Sequence, residues 1–256
     1  MGVVNVTRDS FSDGGKFLET PRAIAQGLKL REEGADFVDV GGESTRPGAD
    51  PVSVDEELGR VLPVVEALVR EGVAVSVDTL KPEVMRRAID SGCAVVNDVN
   101  AFRAPGAIAA VAKSRVGLIA MHMLGTPATM QKDPRYGDVV AEVAAFLRSR
   151  AAALEAAGVA RSRIVLDPGF GFGKTVEHNK QLFRALPALS AMGYPIAVGL
   201  SRKRMIGDFT GRRVEERAAG SVAAALLAVQ NGASLVRVHD VKETVDAISV
   251  WLALKS

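Results

Sequence analysis

Asp78, Asn97, Asp167 and Lys203 each close or follow a short aliphatic run, in VSVD, VVND, IVLD and VGLSRK. Two carboxylates and an amide that face one cavity can bind a flat, nitrogen-rich heterocycle. The carboxylates accept from ring N–H and amino groups, and the amide both donates and accepts. The lysine can donate to a ring carbonyl or ring nitrogen. It also supplies the positive charge that buried carboxylates need to stay ionised. The set suits a ligand of pterin or purine shape.

A second set suits anions. Arg237 and His239 alternate in RVH, so on a strand both side chains take one face. Arg46 follows the second aliphatic run and Arg202 the seventh. Arginine grips phosphate oxygens through paired donors. Other chemistries lack their residues. The chain has no G-x-S-x-G and no Walker A spacing, and GFGFGK (residues 169–174) follows Asp-Pro as a loop. Three scattered His and one Cys cannot make a zinc site of the usual spacings. Magnesium, held by one or two oxygens and substrate phosphates, stays open. Several polar residues have plain readings. Asp240 with Glu243 reads as a helix N-cap, Arg212-Arg213 with Glu215-Glu216 as a solvated face, and Cys93 as a small core residue. His122 reads equally as a core histidine or as a site residue.

These residues need elements to present them. Eight aliphatic runs recur: Gly2–Asn5, Phe37–Gly41, Val73–Asp78, Cys93–Asp98, Val116–His122, Ile164–Asp167, Ile196–Ser201 and Leu235–His239. Each is short and nearly continuous in apolar character, as for parallel strands covered on both faces. Helices fall between them. Thr20-Pro21 opens one, Ser53 with Glu56 caps another in which Pro63 kinks or restarts the helix, and Asp138–Ala157 forms a long amphipathic one. Glu215–Asn231 and Val241–Leu254 complete the set. Gly34, Gly72, Gly92, Gly158, Gly193 and Gly232 each precede a strand, as αβ loops require. Eight β-then-α units predict an α/β fold of one domain over residues 1–256, a (β/α)8 TIM barrel, with a doubly wound open sheet as the runner-up. Every strand then delivers a polar group to the C-terminal rim, where barrels build their sites, and the loops after strands seven and eight are their usual phosphate site. The first run starts at residue 2, so little chain is expected to cover the opposite face.

Composition agrees. The 256 residues carry 32 Lys+Arg against 30 Asp+Glu, which argues against an electrostatic grip on nucleic acid. No run reaches the ~20 apolar residues of a membrane span, no leader sequence is evident, and a single cysteine fits a reducing compartment, so a cytoplasmic protein is expected.

The motifs NVTRDSFSDGG, VDVGGESTRPGA, SVDT, VVND, MHM, LDPGFGFGK, SRK and RVHDV, in this order from Asn5 to the last helix, resemble those of dihydropteroate synthase. That family joins 6-hydroxymethyl-7,8-dihydropterin diphosphate to para-aminobenzoate in folate synthesis, and sulfonamides compete for the para-aminobenzoate site. The resemblance implies the same barrel. It implies Asp78, Asp167, Lys203, Arg237 and His239 as catalytic, and these with Thr45, Asn97 and Val238 as pterin diphosphate contacts. It implies Phe11, Asp13, Arg46, Pro47, Phe172 and Arg204 around the para-aminobenzoate pocket, and Asn5 as a Mg2+ ligand. It also implies a homodimer, loops Thr7–Gly15 and Glu43–Gly48 that close over the site, and departure of pyrophosphate ahead of amine attack. Two positions depart from the family pattern: Arg8 stands where proline is usual, and Arg204 where a small hydroxyl residue is common. A pterin barrel that moves methyl groups, and a non-catalytic pterin binder, are the alternatives. The first would not need the SRK and RVHDV motifs for diphosphate, and the second is favoured only by Arg8 and the short N-terminus.

Overall fold

The computed structural model describes residues 1–6, 16–45 and 48–255. Among these residues eight parallel strands, β1 (Gly2–Asn5), β2 (Val38–Gly41), β3 (Val75–Asp78), β4 (Val95–Asp98), β5 (Gly117–Met121), β6 (Ile164–Asp167), β7 (Ala197–Gly199) and β8 (Leu235–Arg237), follow one another around a ring. The first six form one continuous ladder and the last two a second. Two bridges join the ladders into a barrel. Leu166 pairs with Ile196 between β6 and β7, and Gly2 pairs with Val238 beyond β8. At the second seam the Val3 N–H donates to the Val238 carbonyl (3.1 Å) and the Val238 N–H to the Met1 carbonyl (2.9 Å). The open-sheet alternative is thereby excluded.

Helices α1 (Lys16–Glu32), α2 (Val54–Arg70), α3 (Pro82–Asp90), α4 (Ala107–Ala112), α5 (Val139–Ala156), α6 (Val176–Arg184), α7 (Leu186–Ser190), α8 (Arg204–Thr210), α9 (Ala218–Gln230) and α10 (Val241–Lys255) cover the outside. Outward strand residues such as Val38, Val40, Val75, Val77, Leu118 and Leu166 are fully buried against them. Inward positions alternate with these. At the barrel floor they are apolar: Met1, Val95, Ile119 and Ala197 pack together, and Met1 itself helps fill the N-terminal end.

Some boundaries differ from expectation. Strands β1 and β6 match their aliphatic runs, and the other six are shorter by one to three residues, because those runs include residues of the turns that enter or leave the strand. Helix α1 starts at Lys16, so Pro21 lies inside it rather than at its first position. Pro63 neither ends nor restarts α2, which runs on to Arg70. The Ser53 cap is present, its hydroxyl accepting from the Glu56 N–H (3.2 Å), while the Glu56 carboxylate pairs with Arg60 (2.6 Å). The 215–231 segment splits into a 3-10 turn, Val214–Glu216, and α9. The six predicted αβ glycines all sit at positive φ.

Candidate active site at the barrel mouth

Strand register puts Asn5, Gly41, Asp78 and Asn97 side by side in one row on β1 to β4. Asp39 and Ser76 form the row below. Gly41 keeps the space beside Asp78 open, since a Cβ there would lie 3.5 Å from that of Asp78. On the far side, Gly199 of β7 pairs with Arg237 of β8. Alternation therefore aims Asp39, Ser76, Asp78, Asn97 and Arg237 into the barrel, while Asp98, next to Asn97, takes the other face. Asp98 accepts from the N–H groups of Asn100 and Phe102 (both 2.7 Å) and shapes the turn after β4.

Arg237 anchors the cluster. Its Nε donates to Asp39 Oδ2 at 2.6 Å and its Nη2 to Asp78 Oδ2 at 3.1 Å. Asp39 is wholly buried and also accepts from Ser76 Oγ (2.6 Å) and Asn97 Nδ2 (3.4 Å). Asp167 ends β6 and accepts from the Gly169 N–H (2.7 Å). Lys203 donates to the Phe170 carbonyl, and its ammonium stands 4.5 Å from the centre of the Phe172 ring. Ser201 Oγ lies 3.0 Å from His239 Nδ1 and accepts from the His239 N–H (3.2 Å).

The charges are strongly coupled. Burial and the neighbouring Asp39 push Asp78 up to about 7, against the pull of Arg237. Burial also raises Asp167, opposed by Lys203 and the Gly169 N–H. Burial pulls Lys203 down to about 8, opposed by Asp167. Burial disfavours the Arg237 charge as well, but Asp39 and Asp78 outweigh it and hold the guanidinium above its ordinary value. Three carboxylates (Asp39, Asp78, Asp167) face two cations (Arg237, Lys203), so the pocket favours a ligand edge rich in N–H donors.

The structure thus brings together Asp78, Asn97, Asp167, Lys203, Arg237 and Phe172 from the sequence reading, with His239 beside Ser201. Asn5 stands half-buried at the end of β1, and Thr45 half-buried on the loop after β2. That loop is moored by Lys81, whose Nζ bonds Glu43 (2.6 Å) and the fully buried Glu57 (2.5 Å). Phe11, Asp13, Arg46 and Pro47, with Arg8 and the segment from Thr7 to Gly15, lie outside the described residues.

Four expectations are corrected. Val238 does not face the pocket, because both its backbone groups close the barrel and its side chain packs in the outer core. Arg204 does not join the cluster. Its side chain, on the first turn of α8, is 93% exposed and reaches toward Asp208. Arg202 does not contribute to the anion set, because its guanidinium is committed to Asp240. Asp240 is accordingly an ion-pair partner rather than a simple N-cap.

Sequence reading missed Asp39 and Ser76. A carboxylate inside the otherwise apolar run FVDVG was the available signal, since such a residue is rarely buried without a partner. It also left Lys174 without a role and His122 ambiguous. The two are buried together, with Lys174 Nζ 2.9 Å from His122 Nδ1.

The donor set also bears on a metal. Among the described residues no group of three or more His, Cys, Asp or Glu could hold an ion. One amide oxygen from Asn5 fits a Mg2+ that takes its remaining oxygens from a bound diphosphate and water, not a resident metal.

Comparison with known proteins agrees with this geometry. The family model described as pterin binding enzyme matches residues 1–239. A dihydropteroate synthase of Neisseria meningitidis serogroup C is 51% identical over 259 residues, covering 99% of this chain and 92% of the relative. A Xanthomonas albilineans dihydropteroate synthase solved with 4-aminobenzoic acid is 56% identical with a TM-score of 0.95, covering 100% of this chain and 92% of that one. The same organism's enzyme in complex with 7,8-dihydropteroate gives 53% and 0.92, covering 100% and 93%. The chain belongs to the dihydropteroate synthase family of pterin binding enzymes.

Proposed function

We infer that this chain is a transferase that condenses 6-hydroxymethyl-7,8-dihydropterin diphosphate with para-aminobenzoate to give 7,8-dihydropteroate and pyrophosphate. The observation that carries this reading is the buried Asp39–Arg237–Asp78 bridge standing in one mouth with Asp167 and Lys203. A heterocycle with a donor-rich edge meets Asp78, Asn97 and Asp167. Lys203 donates to its ring oxygen or nitrogen.

In the reaction the bond from the pterin methylene carbon to the diphosphate oxygen breaks. A bond from that carbon to the arylamine nitrogen forms, and the nitrogen gives up one proton. An arylamine is neutral at pH 7, so no strong general base is required. Arg237, held rigid by two carboxylates, acts with His239 and Thr45 on the departing oxygens without reorganising. The carboxylates lend electron density to the pterin as charge develops on the methylene carbon. Mg2+, held by the Asn5 amide oxygen and the diphosphate, would supply charge neutralisation on the leaving group. Sulfonamides, as arylamine mimics, would compete beside Phe172 and Lys203. The exposed apolar faces of α9 and α10 support a homodimer. No described helix is long and apolar enough to cross a membrane, and a cytoplasmic location fits a small-molecule biosynthetic reaction.

The test is pyrophosphate release from the dihydropterin diphosphate with magnesium, with and without para-aminobenzoate. Arylamine-dependent release with formation of dihydropteroate is expected. Pterin binding without such turnover would leave a binding protein and overturn the transferase.

A further inference from the structure

Lys174 is the most deeply buried lysine near the mouth, at 4% exposure, yet the chemistry above does not use it. Among the described residues its ammonium meets no carboxylate within ion-pair distance. Its partners are three neutral acceptors: the Gly169 carbonyl (2.9 Å), the Phe172 carbonyl (3.0 Å) and His122 Nδ1 (2.9 Å). In its protonated form the amine has three donors and no acceptor, so all three are used and His122 accepts at Nδ1. Burial and the adjacent lysine push His122 down to about 3, so the ring is neutral. Burial pulls the Lys174 ammonium down to about 7, opposed by the charge of Asp167, so it is expensive to keep here. Here it holds two carbonyls of one short turn.

In the transferase reading, that turn borders the arylamine. The Asp167 backbone is held by the β5–β6 ladder and by the bond from the His122 N–H to its carbonyl (2.9 Å), so its main-chain position does not depend on Lys174. Phe172 lies beyond the end of β6 and has no ladder partner. Its N–H donates to the Gly169 carbonyl (3.1 Å), the same oxygen that Lys174 grips. Within the turn, Phe170 gives its carbonyl to Lys203, and the Phe172 ring lies under the Lys203 ammonium.

The geometry points to Lys174 as a positioning residue. Its ammonium clamps the 169–172 turn so that Phe172 and Lys203 stand together for the arylamine, and His122 supplies the third acceptor that completes the clamp. The arylamine part rests on the transferase reading. The clamp itself does not.

The experiment pairs two readouts. With 4-fluorophenylalanine at position 172, the parent chain should give one narrow fluorine resonance, and Lys174→Met a broadened or split one. In steady state, Lys174→Met should raise the KM for para-aminobenzoate at least about tenfold, while the KM for the pterin diphosphate changes less than about threefold. An unchanged fluorine line, or both KM values moving in parallel, would overturn the proposal. If Lys174→Met does not fold, His122 decides. His122→Asn keeps an acceptor near the Nδ1 position and should behave as the parent. His122→Leu removes it and should reproduce the selective loss, and equal effects of the two would also overturn the clamp. A parent chain without arylamine-dependent release defeats the transferase reading alone, and the fluorine line still decides the clamp.

Discussion

Asp39 makes the site rigid from the row below Asp78 and Asn97. With Ser76, Asn97 and Arg237 all bonded to it, its carboxylate fixes the guanidinium that must meet the leaving group. Asp39→Asn removes the charge but keeps the shape. Arg237 retains Asp78, so the cost should sit near the low end for breaking a buried pair, about 3 kcal/mol by denaturant unfolding, with kcat/KM down on the order of a hundredfold. A variant with parent stability and activity would show that Asp39 only fills space. The titrating pair gives a second expectation. Asp78, near 7, is faced by Asp39, Arg237, Asp98 and Glu57, and Lys203, near 8, by Asp167, Arg237 and Asp78. Pterin donors need Asp78 ionised and the ring acceptor needs Lys203 protonated. The kcat/KM for the pterin diphosphate should therefore rise through about pH 7 and fall above about pH 8. Asp78→Asn should flatten the acid limb. In stability the signs reverse. Burying the Asp78 charge costs nothing below its unfolded value of 3.8 and its full amount above about 7, and the cost of burying Lys203 is relieved as pH climbs from about 8 toward 10.5.

Strand ends were legible because their chemistry is written in the last few residues of each apolar run or just beyond it. Asp78, Asn97, Asp167, Lys203 and Arg237 could be named from sequence because the barrel rule turns a strand end into a position. Asp39 could not be named that way, because nothing local tells an inward carboxylate from an outward one until register is known. Val238 misled for the same reason: one residue after Arg237, it faces outward and closes the ring. The turn after β6 shows what an element adds. Gly169 has φ +68°, and a Cβ on it would overlap the His122 carbonyl oxygen, a backbone atom held by the neighbouring strand. Gly169→Ala should thus cost about 3 kcal/mol or more, since strain and overlap add. Urea unfolding of the variant measures this, and a change below about 1 kcal/mol would mean that the turn can shift as a body.

At the scale of the whole molecule, the barrel hides its polar network at the centre and its aliphatic layer between strands and helices, so exposed apolar surface needs another explanation. Among the described residues the large exposed hydrophobics are Phe209, Val214, Leu227, Val250, Leu252 and Leu254, all in the last quarter of the chain. They lie on or beside α8, α9 and α10, and α9 packs against α10. Scattered single residues would mean little, but exposed apolar residues concentrated on adjoining helices are of the kind that associates. A two-fold dimer uses one patch twice and needs about 800 Å² from each partner, which two helix faces can supply. Sedimentation of the parent chain at micromolar concentration should show a dimer. Leu227→Glu combined with Val250→Glu places charges in the middle of the patch and should give a folded monomer with an unchanged far-ultraviolet spectrum. Both positions are about half exposed in the single chain, at 48% and 59%, so the substitutions do not disturb the core. A parent that sediments as a monomer would refute self-association through this face.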